Sequence, residues 1–97
     1  MLLVELTPRA LAHLRQASQS WYQNRPAAPF AVEDDFEAGA NLLARNPEIG
    51  SRSASVRYPE LRKLFLERIG YLIYYLRPGK VVVLAVWHAS RQAPPAL

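Results

Sequence analysis

LRKLFLERIGYLIYYLRPGKVVVLAVWH, residues 61–88, is the stretch on which the fold turns. Its hydrophobic period is two: Leu64 and Leu66 alternate with Phe65 and Glu67, and Tyr71 to Leu76 is rich in aromatic and β-branched residues. That spacing and composition suit pleated strands, not helices. Arg77-Pro78-Gly79-Lys80 is turn chemistry, with proline presetting one dihedral and glycine free to take another. Val81 to Trp87 is apolar on both sides, so it belongs at a sheet centre or under cover on both faces. The stretch therefore predicts a three-stranded antiparallel meander over 61–67, 70–77 and 80–88.

Upstream the period changes to that of a helix. Residues 2–6 read as a short strand, too short to stand alone and expected to pair at the meander's edge. Thr7 is a good N-cap and Pro8 fits the first helical position. Ala10, Leu11, Leu14, Ala17, Trp21 and Tyr22 then recur at three- and four-residue steps, an amphipathic helix of about four turns. Asn24-Arg25-Pro26 breaks it. Val32, Phe36, Ala40 and Leu43 form a second stripe, with Glu33, Asp34 and Asp35 at the end where negative charge suits the helix dipole. Asn46-Pro47 stops this helix. Residues 51–55 are small and polar and read as a mobile loop. Two helices joined by a short link should pack as a hairpin on one face of the sheet, leaving the other face partly open. The expected fold class is α+β, order β-α-α-β-β-β, with an antiparallel sheet of about four strands. Residues 1–91 form one domain, and 92–97, carrying Pro94-Pro95, are expected to fray.

Composition narrows the function. A content of 51% hydrophobic and 21% charged residues excludes wholesale disorder. The absence of cysteine excludes disulfides and thiol chemistry. His13 and His88 lie far apart with no ligand cluster near them, so no metal and no cofactor are expected. The opening residues are too short and too soon interrupted by Glu5 for a signal peptide, and no run reaches a membrane span of roughly 20 residues, so a cytoplasmic protein is expected. The net charge of +4 is unevenly spread: residues 1–46 hold four arginines against five carboxylates, and residues 47–97 hold eight cations against three. Such a basic half suits an acidic partner, whether nucleic acid or an acidic protein segment.

The candidate binding set falls on the last strands: Arg62, Lys63, Arg68, Tyr75, His88 and Arg91. Cations hold phosphates or carboxylates, and aromatics stack bases. Each residue also has a structural use. Arginines protect sheet edges from aggregation, Trp21 and Trp87 suit helix–sheet packing, and a histidine at a strand end is often just hydrogen-bonded. Tyr71 and Tyr75 share one sheet face and Tyr74 takes the other, so at least one of these faces is core. No phosphate loop and no nucleophile elbow is present.

Five segments in order resemble the RelE/ParE superfamily of type II toxin–antitoxin toxins. Val4-Glu5-Leu6-Thr7-Pro8-Arg9-Ala10 is similar to the family's opening strand and capped helix. Asn46-Pro47-Glu48-Ile49-Gly50 is similar to its exit from the second helix. Leu61-Arg62-Lys63-Leu64, Tyr71-Leu72-Ile73-Tyr74-Tyr75 and Val82 to Arg91, with its Trp87-His88-x-x-Arg91 ending, resemble the meander motifs. The resemblance implies a cognate antitoxin, encoded next to the toxin, that wraps it into a hetero-oligomer, and a small operon repressed by the complex. Two activities follow from it. ParE-like members poison DNA gyrase; the His88-x-x-Arg91 ending is closer to these. RelE-like members cut messenger RNA on the ribosome without a metal, and here Glu60, Arg68 and His88 would serve as base, phosphate clamp and acid. The ribonuclease arginine of the third strand stands as Tyr71, and the lysine cluster before the second is missing, with Arg52 and Arg57 the only cations there. A third reading is a non-toxic interaction module that keeps the fold.

Overall fold

The computed structural model describes all 97 residues. Seven elements follow in order: β1 Val4–Leu6, α1 Pro8–Asn24, α2 Ala31–Arg45, β2 Ser51–Arg52, β3 Arg62–Leu66, β4 Tyr71–Leu76 and β5 Val81–His88. They build one five-stranded sheet in the order β1-β5-β4-β3-β2. The meander is antiparallel with the expected partners: Arg62 faces Tyr75 and Leu66 faces Tyr71 across β3 and β4, and Tyr71 faces His88 across β4 and β5. Gly79, in the hairpin between β4 and β5, has φ +91°, a conformation that costs glycine little and other residues much.

Two features correct the four-stranded antiparallel expectation. The sheet is mixed, because β1 lies parallel to β5, with Val4, Glu5 and Leu6 opposite Val81, Val82 and Val83. A fifth strand, β2, pairs Ser51 with Lys63 and Arg52 with Arg62, inside the segment expected to be mobile. The cause is the turn before it. Gly50 is buried, its N–H donates to the Tyr75 hydroxyl at 3.0 Å, and this pins the chain beside β3.

The helix starts where threonine and proline placed it. The Thr7 hydroxyl accepts from the Ala10 N–H at 3.1 Å, and Pro8 holds the first turn. The α2 helix has no side-chain cap, but Glu33 and Asp34 lie in its first turn and Arg45 in its last, the charge order that complements the dipole. The Trp21 indole N–H donates to the Ala28 carbonyl at 2.8 Å and ties the end of α1 to the link between the helices.

The helices cover one face of the sheet. Ala10 and Ala17 from α1, and Val32, Phe36 and Leu43 from α2, pack against Leu66, Ile73, Tyr75, Val81, Val83 and Val86. Ile73, Val81 and Val83 are wholly buried; each contributes about 1.5–3 kcal/mol through the water it excludes. The opposite face is less open than expected. It carries a second cluster of Leu61, Tyr74, Leu84 and Ala85, backed by Tyr58, Leu72, Trp87 and Leu97. A bulge makes this possible: Tyr74 faces Ala85 and Tyr75 faces Val83, so Leu84 is skipped and both Leu84 and Ala85 join the outer cluster.

That apolar face also explains the C-terminus. The tail was expected to fray, yet it lies against the sheet. The Trp87 indole N–H donates to the Ala93 carbonyl at 2.9 Å, Pro95 is buried, and Arg9 donates to the Ala96 carbonyl. Residues 92–97 are part of the folded unit because they cover surface that the strands leave exposed.

Candidate functional site

Charge and aromatic groups collect where β5 ends. The pairing of Tyr71 with His88 brings their rings to 4.9 Å, edge to face. His88 is held by the turn that follows: its Nδ1 accepts the Ser90 N–H at 3.1 Å and lies beside the Ser90 hydroxyl. A ring nitrogen that accepts from a backbone N–H carries no proton, so a neutral His88 keeps its hydrogen on Nε2. One residue earlier, Trp87 points to the other side of the strand. The guanidinium carbon of Arg91 sits 3.9 Å from the centre of its ring, close enough for a cation–π contact.

His13 completes the group from α1. The first strand pairs only with residues 81–83, which leaves the edge of β5 beyond it without a partner. The start of α1 covers that edge. Thr7 donates its N–H to the Val83 carbonyl at 3.0 Å, and the Val86 N–H donates to His13 Nδ1 at 3.3 Å. The His13 ring lies 5.5 Å from that of Trp87. Burial, and then the nearby positive charges of Arg9 and Arg91, lower its pKa from the ordinary 6.5. His13 is thus neutral at physiological pH, with Nδ1 accepting and Nε2 carrying the hydrogen. His13 was left out of the candidate binding set in the sequence, where it stood only as a histidine far along the chain from His88. The available signal was its place three residues after Ala10 and four before Ala17, both buried, which is the border of the apolar stripe.

The remaining candidates scatter. Arg62 is committed to the fold, donating to the Glu48 carbonyl at 3.1 Å and the Gly50 carbonyl at 2.6 Å. Tyr75, expected among the binding residues, has no exposed surface. Its hydroxyl accepts from Gly50 and donates to the Pro47 carbonyl at 2.8 Å, so it is a core residue that anchors the 47–50 turn. Lys63 is half-buried on the outer side of β3 and forms no ion pair. Arg68 sits in the turn after β3 and lies 3.8 Å from Asp35 of α2, a long contact between an exposed guanidinium and a largely covered carboxylate.

The ribonuclease trio is not brought together. Glu60 precedes β3 and lies 3.7 Å from Arg52. His88 stands opposite Tyr71, which stands opposite Leu66, six residues along from Glu60. At about 3.3 Å per residue, roughly 20 Å of strand separates the intended base from the intended acid. Arg68 shares the His88 end of the sheet, but Glu60 does not.

A helical hairpin laid on one face of a five-stranded mixed sheet, with a basic and aromatic end to the last strand, is the architecture of the RelE/ParE superfamily of toxins. The chain belongs to the ParE family, whose model is described as "ParE toxin of type II toxin-antitoxin system, parDE" and matches residues 4–93. Its fold is similar to that of a solved structure titled "Chromosomal ParDE TA system from P. aeruginosa", with a TM-score of 0.74 and 18% identity over 93% of this chain and 98% of that one. No curated protein matches the sequence. No helix is long and apolar enough to cross a membrane.

Proposed function

We propose that this toxin acts in the cytoplasm by inhibiting DNA gyrase, and that a cognate antitoxin silences it. The observation that carries the reading is the cluster of Tyr71, Trp87, His88 and Arg91 at the end of β5, a compact basic and aromatic surface with no carboxylate in it. A ribonuclease would need base, clamp and acid around one phosphate. The separation of Glu60 from His88 argues against that chemistry with these residues.

The antitoxin has a suitable place to bind. The second strand covers only Arg62 and Lys63 of β3, so Leu64 to Leu66 present an open edge. Beside it runs a groove between α2 and β3, lined by Leu42, Leu64 and Phe65 together with Asp35, Glu67 and Arg68, with Phe65 52% exposed. Lys63 and Arg68 flank this edge. An acidic antitoxin segment adding a strand there would satisfy the free backbone groups and cover the apolar groove.

The test is a supercoiling assay with purified gyrase, run beside in vitro translation with mapping of mRNA 5′ ends. The reading expects loss of supercoiling, trapped DNA breaks and recovery when the antitoxin is added. Unaffected gyrase together with mRNA cut at ribosomal A-site codons overturns it. Normal growth after induction without the neighbouring gene would favour the non-toxic module.

A further inference from the structure

We propose that the cleft between α1 and the end of β5 binds a phosphate-ester oxyanion, supplied by the backbone of a nucleic-acid strand. The inference deepens the reading above by giving the same end of the sheet a direct contact with nucleic acid. It can be tested without gyrase.

The cleft has a volume of about 150 Å³ and is lined by nine residues, none of them acidic. Its polar lining consists of donors. His13 and His88 each have Nδ1 occupied by a backbone N–H, from Val86 and from Ser90. That fixes the hydrogen of each neutral ring on Nε2 and leaves two N–H donors without a protein acceptor. Arg91 adds a guanidinium that forms no ion pair, since each of the four ion pairs of the molecule involves another cation. Gln16 and Ser20 line the helix side with an amide and a hydroxyl. Several fixed donors, one permanent positive charge and no competing carboxylate make a receptor for an oxyanion.

Size and aromatic occupancy identify which oxyanion. The volume matches a group of the size of a phosphate. The aromatic faces are also taken: Arg91 lies over Trp87, His13 leans on its ring, and His88 meets Tyr71 edge to face. Each of these rings already has a partner within the protein. The cleft therefore reads charge and not sequence, which is the character of a backbone contact. A phosphodiester sets its two charged oxygens and two ester oxygens tetrahedrally, whereas the two oxygens of a carboxylate are coplanar, so the phosphodiester reaches donors on both the helix side and the strand side of the cleft.

The experiment is a titration of the ¹⁵N-labelled full-length protein followed by NMR. The probes are inorganic phosphate, the dinucleotide thymidylyl-thymidine and acetate, at matched ionic strength. The proposal expects saturable shifts of the Trp87 indole N–H and of the Val86 and Ser90 amides with phosphate and with the dinucleotide. Arg91→Gln and His88→Gln should each weaken binding about tenfold or more, as loss of a charge-assisted or buried hydrogen bond does. Arg57→Gln, which removes the same charge as Arg91→Gln from a residue that does not line the cleft, should stay within about twofold, because an exposed charge without a direct contact is screened. Unchanged spectra of the other amides show that the variants fold. Absence of saturation, equal weakening by Arg57→Gln and Arg91→Gln, or acetate binding as well as phosphate overturns the proposal. Binding of inorganic phosphate without the dinucleotide overturns the nucleic-acid source. If Arg91→Gln loses phosphate binding yet still inhibits gyrase, the anion site stands and its part in gyrase inhibition falls.

Discussion

Replacing Tyr75 by phenylalanine isolates the bond on which the sheet edge depends. The ring stays and its burial is unchanged, so only the hydroxyl is lost. That hydroxyl accepts from the Gly50 N–H at 3.0 Å and donates to the Pro47 carbonyl at 2.8 Å. Each bond contributes about 1 kcal/mol net, and a buried N–H left without a partner adds a further penalty of about 1 kcal/mol or more. The expected loss is about 3 kcal/mol. For a domain of this length it corresponds to a fall in melting temperature on the order of 10–20 °C. Urea unfolding of Tyr75→Phe beside Tyr74→Phe measures it. Tyr74 is as deep in the other face, but its hydroxyl makes no hydrogen bond within the protein, so its loss should stay within about 0.5 kcal/mol. Alkaline pH gives a second readout. Burial raises the Tyr75 hydroxyl above its usual 10.0, against the opposing effects of the Gly50 bond and of Arg62 and Arg77. The unfolded chain therefore ionises first, and stability is lost as pH rises past 10.0, less steeply in Tyr75→Phe. A loss below about 0.5 kcal/mol, or one equal to that of Tyr74→Phe, would refute the reasoning.

Two further outcomes follow from the same packing. Gly50→Ala should destabilise by about 2–3 kcal/mol in thermal or urea unfolding, because a Cβ there would lie 2.5 Å from the Tyr75 hydroxyl and 2.7 Å from the Lys63 carbonyl, which is backbone and cannot move aside. The lowered pKa of His13 makes the folded form the weaker proton binder, so its contribution is complete above pH 6.5 and is lost as pH falls below that value. His13→Gln should flatten this acid limb in a series of unfolding curves, and an unchanged limb would contradict the burial of the His13 ring beside Arg9 and Arg91.

The parts legible in the sequence are those decided by local chemistry. Thr7-Pro8 caps α1 where expected, and the period of two placed β3, β4 and β5 to within a residue or two. What was not legible depends on contacts between distant segments. The direction of β1 is set by how the hairpin returns the chain to the sheet, and no feature of Val4-Glu5-Leu6 encodes it. Ser51-Arg52 has the composition of a loop and becomes a strand only because Tyr75 holds Gly50. Alternation assigned Tyr75 and Tyr74 to opposite faces but could not say that both faces are covered, since the second cover is the Pro95–Leu97 tail. For the site, His88 and Arg91 were visible as the ending of the last strand. Glu60 was grouped with them by chemistry alone, and the register of β3 against β4 places it at the opposite end.

The central claim is that activity resides at the end of β5 and is directed at gyrase. DNA cleaved in a gyrase reaction, measured with wild type, Arg91→Gln and Glu60→Gln, tests it most directly. The account predicts trapped breaks with wild type and with Glu60→Gln, and their loss with Arg91→Gln. Breaks that survive Arg91→Gln and vanish with Glu60→Gln, or gyrase untouched by all three proteins, would contradict it.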